Sequence, residues 1–243
     1  MLILIRSILF NILFYLNLLI YLVAAIPTFF LPYRVLVAFA KSWGRMNLRL
    51  LRLVCDIDVE WIGLEKISPG PLIVAAKHQS TWETFALLTL FDSPTFIVKR
   101  ELMWIPLFGW YIWKARMIPV DRGARTQALA AMTELARAEL ANNRQLVIFP
   151  EGTRRSPGAE PAYKFGVAHL YAESGAPCLP VALNSGLVWR RRAFMRHPGT
   201  VRVEILDPIP PGLGRTEFFE RLKNDIEEAT ARLVAAGTQK RSL

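Results

Sequence analysis

LIVAAKHQSTWETFALL, residues 72–88, is the stretch on which the fold turns. A short apolar run rich in branched residues reads as a buried strand, and the segment after it reads as a helix. The polar residues gather at the junction, which is where a rigid scaffold presents chemistry. His78 and Glu83 are five apart. On one continuous helix ~100° per residue would leave them ~140° apart, so they meet only if His78 precedes the helix. Ser80-Thr81-Trp82-Glu83 has the S-x-x-E form of a capping box, with Ser80 as N-cap and Glu83 at N3, which starts the helix after His78. Spacing leaves Glu83 two equal readings, a cap for backbone N–H groups or a partner that orients His78. A neutral imidazole held by a carboxylate takes a proton from a hydroxyl near neutral pH, the task of a general base. No carboxylate stands five residues after His169 or His197, and both read as structural.

Outward from this junction the pattern repeats. Apolar runs at 71–76, 95–98, 145–149, 178–183 and 201–206 alternate with helical stretches at 84–91, 124–142 and 216–236, the signature of an α/β domain. The expected fold is therefore α/β, a single domain over residues 56–243 with a frayed polar tail from Gly237. After the run at 145–149 comes Phe149-Pro150-Glu151-Gly152-Thr153-Arg154-Arg155, where Pro and Gly bend the chain. Such a loop at a strand's carboxyl end offers a carboxylate, a hydroxyl, backbone N–H groups and a guanidinium to the crevice where open α/β sheets bind ligands. An ordinary solvated turn is its plain alternative. Met117-Ile118-Pro119-Val120-Asp121-Arg122-Gly123 is another strand end. It delivers Arg122, whose planar fork suits a phosphate, although Asp121 beside it suits a surface ion pair.

Upstream, residues 7–33 form a 27-residue run without a charged side chain. The 20 residues before Pro27 reach roughly 30 Å as a helix, about one hydrocarbon thickness. A cleaved signal peptide fits less well, because the run exceeds the ~7–15 residues of an h-region and only Arg6 precedes it. Arg34, Lys41, Arg45, Arg49 and Arg52 then fall on one helical stripe, opposite Leu36, Phe39, Trp43, Met46, Leu50 and Val54. That is the pattern of an interfacial helix, with cations at anionic headgroups. Residues 1–55 are thus expected to anchor the chain, spanning or lying in one leaflet. If the segment spans, the excess of Lys and Arg after the apolar run places the remainder in the cytoplasm.

Composition agrees. In 243 residues, 53% are apolar and 30 Lys plus Arg face 20 Asp plus Glu, a net +10 that asks for an anionic partner. The mean hydropathy of +0.27 favours lipid over nucleic acid. Cys55 and Cys178 are too few for a disulfide framework and carry no C-x-x-C spacing that would support a structural zinc site. No H-E-x-x-H or comparable ligand cluster appears, so no metal is expected.

Taken in order, these segments resemble the glycerophospholipid acyltransferase family, which includes the 1-acylglycerol-3-phosphate acyltransferases. The resemblance covers about residues 59–209. Its first block, N-H-x-S-x-x-D, is met by Lys77-His78-Gln79-Ser80-Thr81-Trp82-Glu83, with Lys in place of Asn and Glu in place of Asp. Its second ends at Arg122, its third, F-P-E-G-T-R, is intact from Phe149 to Arg154, and its fourth matches Leu179-Pro180-Val181-Ala182-Leu183. The resemblance implies a mixed sheet flanked by helices, and acyl transfer from acyl-CoA or acyl carrier protein to a lysophospholipid hydroxyl without an acyl-enzyme. It implies His78 as base, Glu83 as its partner, and Arg122, Glu151, Gly152, Thr153 and Arg154 around the glycerol phosphate. Lys99 and Lys164 are further candidate phosphate contacts, with solvated surface the better reading. Arg190-Arg191-Arg192 would attract anionic lipid. Trp104, Trp110, Trp113 and Phe108 would line an acyl channel or sit in ordinary core. No cofactor beyond the thioester co-substrate is implied. The place of action implied is the cytoplasmic face of the inner membrane, with no nucleic acid involved. Other readings stay open: another lysolipid acceptor such as a lyso-ornithine lipid, a serine hydrolase, for which no G-x-S-x-G elbow exists, and a non-catalytic membrane adaptor.

Overall fold

A computed structural model describes residues 1–121 and 125–239, with the side chains of 125–128 and 239 left out. Among the described residues seven strands build one sheet: β1 (Ile57–Ile62), β2 (Leu72–Ala76), β3 (Pro94–Lys99), β4 (Ile118–Val120), β5 (Gln145–Ile148), β6 (Cys178–Leu183) and β7 (Gly199–Ile205). They run in the order β1-β7-β6-β2-β5-β3-β4. Pairing is parallel except between β6 and β7, so the sheet is mixed, as expected.

The apolar run that opens LIVAAKHQST becomes the central strand because both of its faces can be buried. Leu72, Val74 and Ala76 join a core with α2 (Tyr33–Cys55) and α3 (Trp82–Leu90). Ile73 and Ala75 join the opposite core with α5 (Arg125–Ala141), α6 (Gly166–Ser174) and α7 (Arg215–Gln239). β1 escaped the sequence reading because Ile57-Asp58-Val59-Glu60-Trp61-Ile62 is an edge strand, exposed on alternate residues, two of them acids, with only Ile57 buried. The expected tail from Gly237 is a correction: α7 continues through Gln239, and residues 240–243 lie outside the described part.

At the amino end α1 (Leu2–Ala24) gives way to a 3-10 turn, Ile26–Phe30, where Pro27 ends the helix. α2 forms as its period demanded, but it buries a different stripe. Leu36, Val37, Gly44, Asn47, Leu51 and Cys55 face inward, and Phe39, Trp43, Met46, Leu50 and Val54 are only half-buried beside them. Gly44 explains the rotation. A Cβ there would lie 2.8 Å from the Phe85 carbonyl oxygen and from Thr89 Cγ2, so only glycine lets α2 press onto α3. Arg34, Arg45, Arg49 and Arg52 stay exposed, whereas Lys41 donates to the Phe91 carbonyl at 2.6 Å, just past the end of α3. α2 is therefore a layer of the fold as well as a basic surface.

β6, β2 and β5 are neighbours and parallel, so their carboxyl ends share one edge of the sheet. The segments that follow them, 184–187, 77–81 and 149–155, converge there.

Candidate active site

β2 ends at Ala76 and α3 begins at Trp82, so His78 stands ahead of the helix as the spacing required. The helix starts one residue later than the S-x-x-E reading placed it, with Thr81 rather than Ser80 as N-cap and Glu83 in second place, yet both side chains still meet backbone donors at its start. Ser80 Oγ accepts from the Trp82 N–H at 3.2 Å, and Glu83 Oε1 accepts from the Ser80 N–H at 2.6 Å. The same oxygen accepts from the Gln79 N–H at 2.6 Å and lies 2.9 Å from His78 Nδ1. Capping and orienting, which spacing held apart, are one arrangement. Glu83 is fully buried, and its Oε2 accepts from the Ser185 hydroxyl at 2.8 Å, so four donors compensate a carboxylate that water does not reach. An ionised Glu83 only accepts, which assigns the proton to Nδ1 and leaves the lone pair on Nε2. The imidazole stacks on Phe149, ring centroids 4.0 Å apart at 17°, which fixes its plane.

The loop after β5 grips the His78 peptide on both sides. Glu151 Oε2 accepts from the His78 N–H at 2.9 Å, and the Arg155 N–H donates to the His78 carbonyl at 2.7 Å. The turn closes through the Gly152 N–H to the Phe149 carbonyl at 2.9 Å, with Gly152 at φ +64°, a left-handed conformation that other residues adopt at a cost. Glu151 is 1% exposed, and its Oε1 takes the Lys77 ammonium at 3.0 Å. Burial pushes its carboxyl above the ordinary range, against the pull of Lys77. Its expected contact with a glycerol phosphate is thereby corrected, since both oxygens are spent behind His78.

On the open side His78, Gly152, Thr153 and Arg154 share one cavity of about 510 Å³ with apolar residues of α1, α2 and α4 (Phe108–Lys114), among them Leu18, Leu22, Phe39, Trp43 and Phe108. Arg154 Nη1 donates to Thr81 Oγ1 at 2.6 Å. Lys99 also lines the cavity and pairs with Glu101 at 2.9 Å, and the Lys164 N–H donates to the Pro150 carbonyl at 2.8 Å. Arg122 lies outside the described residues; β4 ends two residues before it, and Asp121 pairs with Arg100 at 3.0 Å. Phe108 lines the cavity, but Trp104, Trp110 and Trp113 face outward at 72%, 59% and 69% exposure, neither channel nor core. α4 turns Tyr111 and Ile112 inward instead.

A family model described as Acyltransferase matches residues 58–184, more than half of the chain. The chain belongs to the acyltransferase family. This acyltransferase is 36% identical over 176 residues to the 1-acyl-sn-glycerol-3-phosphate acyltransferase of Pseudomonas aeruginosa, covering 72% of this chain and 68% of that one. It is 29% identical over 174 residues to the human 1-acyl-sn-glycerol-3-phosphate acyltransferase alpha, covering 68% of this chain and 62% of that one. The crystal structure of the acyltransferase PlsC from Thermotoga maritima superposes with a TM-score of 0.74 at 26% identity, over 93% of this chain and 97% of that one. The matched region ends at Asn184, one residue before Ser185. Sequence reasoning missed Ser185 because 102 residues separate it from Glu83, with no spacing signal between them. It likewise missed Tyr163 and Glu227, which approach Lys77 from the far side of the site.

Proposed function

We propose that this acyltransferase moves a fatty acyl group from a thioester, acyl-CoA or acyl carrier protein, to the 2-hydroxyl of 1-acylglycerol-3-phosphate, giving phosphatidic acid. The observation that carries this reading is a buried His78–Glu83 pair opening on a cavity that is cationic at Arg154 and apolar at α1 and α2. His78 Nε2 takes the hydroxyl proton as the oxygen attacks the thioester carbonyl, and Glu83 steadies the imidazolium that forms. The C–S bond then breaks, and the same proton passes to the departing thiolate. An ester and a free thiol leave, with no covalent enzyme intermediate. Arg154 and Thr153, with Arg122, position the phosphate, and Gly152 lets the backbone come close.

The acyltransferase works from one leaflet, its catalytic side towards the cytoplasm. Residues 2–30 are long and apolar enough to cross a membrane. Yet one face of α1 is committed to the domain: the Arg196 N–H donates to Ser7 Oγ at 2.9 Å, Arg196 Nη2 donates to Asn11 Oδ1 at 2.9 Å, and Leu18 and Leu22 line the cavity. A helix held along its side by a charged domain lies at the interface rather than across it. Its free face exposes Leu9, Ile12, Leu16, Leu19 and Val23, and Phe30, Trp110 and Trp113 are exposed as well. α4 is latched to this region by the Tyr111 hydroxyl on the Leu22 carbonyl at 2.6 Å and by Lys114 Nζ on the Phe29 carbonyl at 3.1 Å. Tryptophan at such a rim suits the headgroup level, and the exposed Arg190 and Arg191 suit anionic lipid.

The test is transfer of labelled acyl groups from acyl-CoA and, separately, acyl carrier protein to a panel of lysolipids in detergent. Labelled phosphatidic acid from lysophosphatidic acid is expected. Preferential acylation of a phosphate-free acceptor such as a lyso-ornithine lipid would contradict the assignment of the acceptor, and no transfer to any acceptor would contradict the reaction.

A further inference from the structure

Lys77 stands immediately before His78, where the resembled block carries Asn, and its side chain is 3% exposed. An ammonium taken so far out of water must be paired. Its Nζ lies 3.0 Å from Glu151 Oε1 and makes a short contact with Glu227 Oε1. Glu227 belongs to α7, 150 residues further along and beyond the region that matches the family. The same Glu227 oxygen accepts from the Tyr163 hydroxyl at 2.9 Å, and the ammonium sits 5.7 Å from the centroid of the Tyr163 ring. Glu151, in turn, holds the His78 N–H. A continuous chain of contacts therefore runs from the C-terminal helix through Lys77 and Glu151 to the peptide that carries the base.

The charges explain why the chain is coupled. One cation is shared by two carboxylates, and burial already opposes the ionised form of Glu151. Without the cation, two acids would face each other across the vacated space, and the loop holding His78 would have to shift. A shift of about 1 Å at a reacting group is enough to cost ~10²-fold in rate.

We propose that Lys77, with Glu227 of α7 and Tyr163, is a positioning network that holds Glu151 against His78, so that the C-terminal helix is part of what sets the geometry of the base. The proposal rests on the reading of His78 as the base. None of the three touches substrate; each acts through Glu151.

The experiment compares kcat, KM for both substrates and thermal midpoint for wild type, Lys77→Met, Glu227→Gln, Tyr163→Phe and the double variant Lys77→Met/Glu227→Gln, with His78→Ala as control. Lys77→Met is expected to lower kcat by ~10²-fold, with a smaller rise in KM of up to about 10-fold because Gly152, Thr153 and Arg154 follow Glu151 in the same loop and shift with it. Glu227→Gln and Tyr163→Phe are expected to lower kcat by roughly 3- to 10-fold. The double variant is expected to be no worse than Lys77→Met alone, since removing the second acid relieves the unpaired charge that the first change creates. Losses that multiply, or a kcat within about 2-fold of wild type in variants whose midpoints alone fall, would overturn the network as a positioning device. Should Lys77→Met not fold, Glu227→Gln and Tyr163→Phe carry the test, and an unchanged kcat in both overturns it. An inactive His78→Ala beside unaffected network variants sinks this inference alone. An active His78→Ala sinks the base reading and this inference with it.

Discussion

Glu83 Oε1 receives the His78 imidazole and the N–H groups of Gln79 and Ser80, and Oε2 receives Ser185. Every one of these partners donates, so an amide at this position would turn its own N–H₂ against a donor. Glu83→Gln is expected to leave the chain folded but to hold His78 in the wrong tautomer, lowering kcat by ~10²–10⁴-fold in steady-state assays while KM changes little. Ser185→Ala removes one hydrogen bond to a buried charge and is expected to lower unfolding stability by roughly 1.5–3 kcal/mol, read from a denaturant melt. The His78–Glu83 contact was legible in the sequence as one of two readings, because S-x-x-E starts a helix after His78 and brings a first-turn carboxylate back to it; the helix in fact starts one residue later, after Thr81. Ser185 was not legible, because its meeting with Glu83 follows from β6 lying beside β2, and no local pattern reports strand order. The fate of Glu151 was hidden for the same reason: its partners, Lys77 and the His78 N–H, come from the neighbouring strand's loop.

The buried runs at 72–76 and 178–183 became central strands at nearly the expected bounds, since continuous apolar stretches of that length have few other ways to avoid water. Edge strand β1 and the short α4 gave weaker signals, one half-exposed and acidic, the other apolar on both faces. α2 shows where periodicity misleads. The spacing of its apolar residues marks one side, but the side that buries is chosen by Gly44, the place where α3 can approach. Gly44→Ala is accordingly expected to cost about 1–3 kcal/mol of stability by overpacking against Phe85 and Thr89, although alanine is the better helix former. Thermal or denaturant unfolding checks this; an unchanged or raised midpoint would mean that the two helices have room to part.

At the scale of the whole molecule, net charge and hydropathy pointed to lipid before any residue was placed, but not to which surface meets it. Trp110 and Trp113, read from sequence as channel or core, stand instead on the outer side of α4, whose Tyr111 stacks on Phe29, and the next residue, Phe30, is 90% exposed. Trp110→Glu/Trp113→Glu is expected to weaken sedimentation with anionic vesicles at least tenfold while leaving turnover of detergent-dispersed substrate within about 3-fold of wild type, because the cavity side of α4 is untouched. Equal vesicle binding by wild type and variant would exclude α4 from the membrane surface. The catalytic claim that this docking serves is that His78 removes the hydroxyl proton. It is tested most directly by the single-turnover rate of acyl transfer to lysophosphatidic acid on vesicles, wild type against a folded, vesicle-bound His78→Ala. A loss of ~10²–10⁴-fold or more at unchanged vesicle binding is the result expected of a general base; a rate within tenfold of wild type would contradict it.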